Sequence, residues 1–121
     1  MSDDADRQIE RLDRALNSIY DLLVSICARL PIPITLPQGP ATDGNTIPAV
    51  KRMIEIIDDQ PLTHQLTVGI WSGALHWLSA AHLLDMLRTE WDHSINLAVQ
   101  LNLTAGGETL MVMSRDMKNQ Q

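Results

Sequence analysis

From Leu66 to Leu87 the chain reads LTVGIWSGALHWLSAAHLLDML, and Asp85 is the one formal charge in that span. At 100° per residue, Leu66, Ile70, Trp77 and Leu84 share one helix face, while Val68, Trp71, Leu75 and Leu78 cover much of the opposite one. A helix that is apolar nearly all round belongs in a protein core or in a bilayer. Its length suits the roughly 20 residues a bilayer demands, and Gly69 and Gly73 form the G-x-x-x-G pair of close-packed membrane helices. His76 and His82 inside the span, Ser72 and Ser79, and the lack of a basic cluster at either flank argue the other way. The stretch therefore reads as a core helix whose small residues, Gly69, Gly73 and Ala80, let a neighbour lie close. Each interior glycine costs about 1 kcal/mol relative to alanine. If close packing does not offset that cost, the helix breaks near Ser72-Gly73.

The sharpest local periodicity lies upstream. Ile9, Leu12, Leu16, Ile19, Leu23, Ile26 and Leu30 repeat at 3-4 spacing, as the a and d positions of a heptad. The pattern predicts a helix over residues 5–30, with Asp3 or Asp4 as its N-cap, stopped by Pro31. Leucine at a with isoleucine at d favours assemblies larger than two strands. Ala15, Tyr20, Leu22 and Cys27 widen the apolar face at the flanking positions. Such a face is met either by later helices of the same chain or by another subunit, giving a homo-oligomer (a dimer or a tetramer).

Residues 31–47 hold four of the six prolines and form a connector without helical capacity. Thr46 as N-cap, with Pro48 in the first turn, then opens a one-sided helix carrying Val50, Met53, Ile54 and Ile57, which ends before Pro61. Pro61 or Thr63 starts the central helix. Trp91, Ile95, Leu97, Val99 and Leu101 continue a helical pattern to about Leu103, where Gly106-Gly107 stops it. Thr109 to Ser114 reads as a strand, paired with residues 33–36, or as a terminal helix. The expected fold class is thus mainly α: one small bundle of about four or five helices with a long N-terminal heptad helix and, optionally, that short β pairing. The whole of 1–121 is a single domain, divided into heptad helix 5–30, connector 31–47, helical core 48–104 and tail 105–121.

Charge bounds the function. Fifteen acidic against nine basic residues give a net charge of −6, which argues against a nucleic-acid partner, since phosphate neutralisation needs a basic surface. One cysteine, Cys27, forbids an internal disulfide and fits a reducing, cytoplasmic setting. The acidic N-terminus carries no apolar signal core.

Motifs for chemistry are sparse. Glu90 and His93 make a Glu-x-x-His, half of a carboxylate-bridged di-metal site, and Glu55 or Asp58 are the acids that could add to it. No second copy of the motif exists, so neither a metal nor another cofactor is expected. Gly69-Ile70-Trp71-Ser72-Gly73 lacks the spacing of a nucleophile elbow. Cys27 on the heptad helix reads as a buried thiol, and no catalytic residue stands out. Arg7, Arg11 and Arg14 form a strip that is either a solvated face balanced by Glu10, Asp13 and Asp21 or a dock for an acidic partner. The leading expectation is a non-enzymatic interaction or adaptor protein that self-associates through Ile9 to Leu30 and binds another protein, with no membrane contact. The alternative is a small-ligand-binding bundle with a pocket near Trp71, His76, Trp77 and His82. A metal-dependent enzyme built on Glu90 and His93 comes third.

Overall fold

A computed structural model describes residues 3–41 and 44–119. Four α-helices follow in order: α1 (Asp3–Ala28), α2 (Thr46–Ile56), α3 (His64–Thr89) and α4 (His93–Asn119), with one turn of 3-10 helix, Ile57–Asp59, extending α2. No strand occurs among the described residues, and no helix is long and apolar enough to cross a membrane.

Asp3, Asp4 and Asp6 lie in the first turn of α1, where carboxylates complement the helix dipole. The helix ends two residues before the expected Leu30. The amides of Arg29 and Leu30 turn back to Ile26 O and Cys27 O, and Ile34 N–H closes the end on Cys27 O at 2.9 Å. Pro31 has no N–H with which to continue. The described part of the connector is tied down rather than loose. Leu36 is buried, the Tyr20 hydroxyl donates to Pro37 O, and Asn17 Oδ1 accepts from Ala41 N–H at 2.6 Å. The Gln60 amide pairs with both backbone groups of Ile32, at 2.9 and 2.6 Å.

Thr46 is the first residue of α2 rather than its cap; its hydroxyl donates to Ala41 O, and Asn45 holds the cap position. Thr63 caps α3, its Oγ1 accepting from Leu66 N–H at 3.2 Å. Asp92 Oδ1 does the same for α4, accepting from the amides of Ser94 and Ile95.

One glycine reading left open is resolved here and another is corrected. The central stretch is one unbroken helix through Ser72-Gly73, and α4 runs on past Gly106-Gly107 to Asn119, so the expected 105–121 tail is helix as far as the described residues reach. The cause is the same in both cases. Leu110 fills the space over Gly73, Met113 that over Gly69, and Gly106 sits against the His76 Cβ and the Gly73 carbonyl. Antiparallel α3 and α4 approach so closely that side chains at these positions would collide. The packing gained outweighs the local cost of glycine. With Thr109 to Ser114 inside α4, the optional strand pairing with 33–36 is also overturned.

The layer formed by α3 and α4 is covered on one side by α1. Trp77, fully buried at the centre, donates its indole N–H to Leu16 O at 3.1 Å, with its ring 5.4 Å from that of Tyr20. Arg88 reaches Asp13 and Asp85, and Arg29 reaches Ser114. Val50, Met53 and Ile57 of the short second helix are buried, and the Trp71 indole donates to Ile54 O at 2.9 Å.

Candidate functional site

The heptad seam is consumed inside the chain. Leu12, Leu16, Leu23, Ile26 and Leu30 are at most 5% exposed, and Ile9 and Ile19 are half-buried against the same core. Of the two partners the sequence left open for this seam, the later helices of the same chain occupy it. Charged substitutions at Leu16 or Leu23 would therefore break the fold rather than separate subunits.

The unoccupied apolar surface lies on the other side. Gly73, Trp77, Gly106 and Leu110 fix which flanks of α3 and α4 face each other, and Trp77, Arg88, Gly107 and Ser114 mark the flank turned to α1. At 100° per residue, Val68, Ser72, Leu75, Ser79 and Met86 of α3 and Ala98, Leu101, Ala105 and Val112 of α4 then point away from α1. Several are strongly exposed for apolar side chains: Val68 44%, Leu75 52%, Met86 54% and Leu101 71%. From His64 to Leu84 no Asp, Glu, Lys or Arg interrupts this surface, and from His93 to Met113 Glu108 alone does.

A shallow groove of about 450 Å³ runs along it, lined by Val68, Trp71, Ser72, Leu75, His76, Ser79 and Asn102. Asn102 donates from Nδ2 to Ala98 O at 2.9 Å, so its Oδ1 is the acceptor for His76 Nδ1–H at 3.0 Å. This pairing fixes the ring and leaves Nε2 for the groove.

The four aromatic and histidine residues expected to form one pocket are divided. Trp71 and His76 line the groove, Trp77 lies in the core towards α1, and His82 is exposed outside the groove. The six-residue spacing of the tryptophans sets them about 120° apart on the helix, too far to share a site. Leu101 and Val112 were missed as surface residues; their signal was the near absence of charge on α4 before Arg115.

The remaining candidates do not converge. Glu55, Asp58, Glu90 and His93 are all exposed, and no three metal-ligating side chains cluster among the described residues. Arg7, Arg11 and Arg14 are exposed, with Arg14 4.0 Å from Glu10. Burial pushes the Cys27 thiol up to about 12, which suppresses the thiolate. The Asp92 carboxyl is held below its usual value by the Ser94 hydroxyl and then the Ile95 amide, as its capping role demands. No family model matches the chain, and neither a curated protein nor a solved structure matches it.

Proposed function

We propose that this chain is a non-catalytic protein-interaction protein, an adaptor that self-associates and offers its remaining surface to another protein. The observation that carries the reading is the apolar outer face of the α3–α4 layer, nearly free of charge. Contiguous exposed apolar surface on a small domain marks an interaction site. The self-association surface on this reading is that face, and the heptad seam serves the core. The chemistry elsewhere supports the non-catalytic half: Cys27 is buried as a thiol, and His76 is engaged by a carboxamide rather than by a carboxylate that could make it a base.

The test is mass in solution by light scattering after size exclusion, across a tenfold concentration range. A mass that stays at, or rises towards, twice 13.5 kDa supports the reading, and a strict monomer at every concentration refutes it.

A second reading has its own observation. The His76–Asn102 pair, with Ser72 and Ser79, places a few polar groups in an apolar groove, as small-ligand sites do. Trp71 borders the groove, so quenching of its fluorescence by a metabolite panel addresses this reading. A flat response to the whole panel would dismiss it.

A further inference from the structure

We infer that a second copy of this chain docks on the α3–α4 face about a two-fold axis, each Leu101 entering the partner's groove over Ser72, between Val68 and Leu75. The inference rests on the self-association reading above and adds the occupant and the register.

Three observations select a second copy. The first is charge. At net −6, two copies meeting through a charged face bring like against like, whereas residues 64–84 carry no formal charge and 93–113 carry Glu108 alone. Asp116 stands at the end of the face, away from the axis.

The second is area. Helices of 26 and 27 residues are each about 40 Å long. Laid side by side at a spacing of about 9 Å they present a face about 18 Å wide, hence roughly 700 Å² per copy. A standard stable interface buries about 800 Å² per partner. The face is of the right size for one copy, and far larger than a small ligand would cover.

The third is shape. Leu101, at 71%, is the most exposed large apolar residue among the described residues, and it neighbours Asn102, which lines the groove. The His76–Asn102 bond sets Leu101 near the level of Ser79, about 10 Å along the helix from Ser72. A two-fold axis lying in the plane of the face, perpendicular to the line from Leu101 to Ser72 and through its midpoint, carries the knob of each copy into the groove of the other. An isologous interface repeats every contact in this way.

The test is a cysteine pair. Within one chain, positions 72 and 101 lie on different helices and about 10 Å apart in level, beyond the Cα separation a disulfide bridges. The double variant Ser72→Cys/Leu101→Cys, oxidised mildly, is expected to give a covalent dimer on a non-reducing gel. Ser72→Cys and Leu101→Cys alone are not, because each residue lies off the axis from its own copy. Leu101→Glu, in a residue type that sustains helices, should keep its helical circular dichroism and weaken dimerisation roughly 100-fold, two symmetric anchors being lost. A dimer by mass that neither cross-links through 72 and 101 nor responds to Leu101→Glu overturns the register while leaving self-association intact. A monomer by mass overturns both. Cross-linking of Leu101→Cys alone would also overturn the register, by putting the axis at Leu101.

Discussion

Adjacent glycines in α4 should respond to alanine with opposite signs. Both are helix-interior, so Gly→Ala gains about 1 kcal/mol of helix propensity at each. At Gly107 the new methyl would lie 3.4 Å from Ile19 Cδ1 and 3.5 Å from its Cγ1, ordinary van der Waals contact with a side chain that can adjust. The propensity gain survives there, and Gly107→Ala is expected to stabilise by about 0.5–1 kcal/mol, or about 2–4 °C in Tm for a domain of this size. At Gly106 the methyl would stand 3.0 Å from His76 Cβ and 3.3 Å from the Gly73 carbonyl oxygen, which belongs to the backbone of α3. Relief requires α3 and α4 to move apart, and overpacking of that kind costs about 1–3 kcal/mol. The net for Gly106→Ala is a loss of about 1 kcal/mol. Urea unfolding followed by circular dichroism measures both, in the Leu101→Glu background so that subunit dissociation does not enter the transition. Equal stabilisation by the two substitutions would refute the close approach of α3 and α4 at Gly106, and with it the explanation of why α4 passes through a glycine pair.

Asn96 is 4% exposed, and its Oδ1 has no hydrogen-bond partner among the described residues. Asn96→Leu should therefore raise the unfolding free energy by about 1 kcal/mol, and a loss in the same urea assay would reveal a partner for that oxygen. Burial raises the Cys27 thiol from 9.0 to about 12, so the folded state favours the neutral form. That contribution is complete below pH 9 and is lost as pH rises from 9 towards 12. The wild type should lose stability over this window more steeply than Cys27→Ala, and native Cys27 should react with a thiol reagent only as fast as the chain opens; parallel pH profiles would contradict the burial. Arg88 bridges Asp13 of α1 and Asp85 of its own helix at partly exposed positions. Its replacement by alanine should cost about 1 kcal/mol in dilute buffer and less in 1 M salt, and a salt-independent loss would mean that packing of its stem, not charge, is responsible.

Much of this fold was legible because its strongest signals are local. Pro31 and Thr63 bound helices as their backbone chemistry requires, and the 3-4 repeat from Ile9 to Leu30 does mark a buried stripe. What local pattern could not supply was the partner of each surface. A heptad seam states that something apolar covers it, and only the tertiary arrangement reveals that α3 and α4 of the same chain do so. Gly106-Gly107 read as a stop because glycine disfavours helix in isolation, yet here it permits the contact with Gly73 that holds two helices together. Thr109 to Met113 carries strand-like residues, but Leu110 and Met113 are the side chains that fill the spaces over Gly73 and Gly69. The candidate groove was half legible. Trp71 and His76 were named, whereas Trp77 and His82 were grouped with them by nearness in sequence, although the helix turns them away.

The open face follows from the lengths of the helices. With 26 residues, α3 is about 39 Å long and apolar on every side, so it needs cover all round. The first helix, of equal length, covers one flank, and α4 lies along a second. The helix available for the rest, α2, has 11 residues and spans about 16 Å, less than half of what it would have to cover. The connector cannot make up the difference, because it is spent on α1 through Tyr20 and Asn17 and on Gln60. The chain thus supplies two long helices and a short one to a central helix that calls for a complete ring. Val68, Leu75 and Leu101 stay in water at a hydrophobic cost that another apolar surface would remove. A second α3–α4 layer, with Glu108 as its one charge over residues 64–84 and 93–113, would supply that surface without any further sequence.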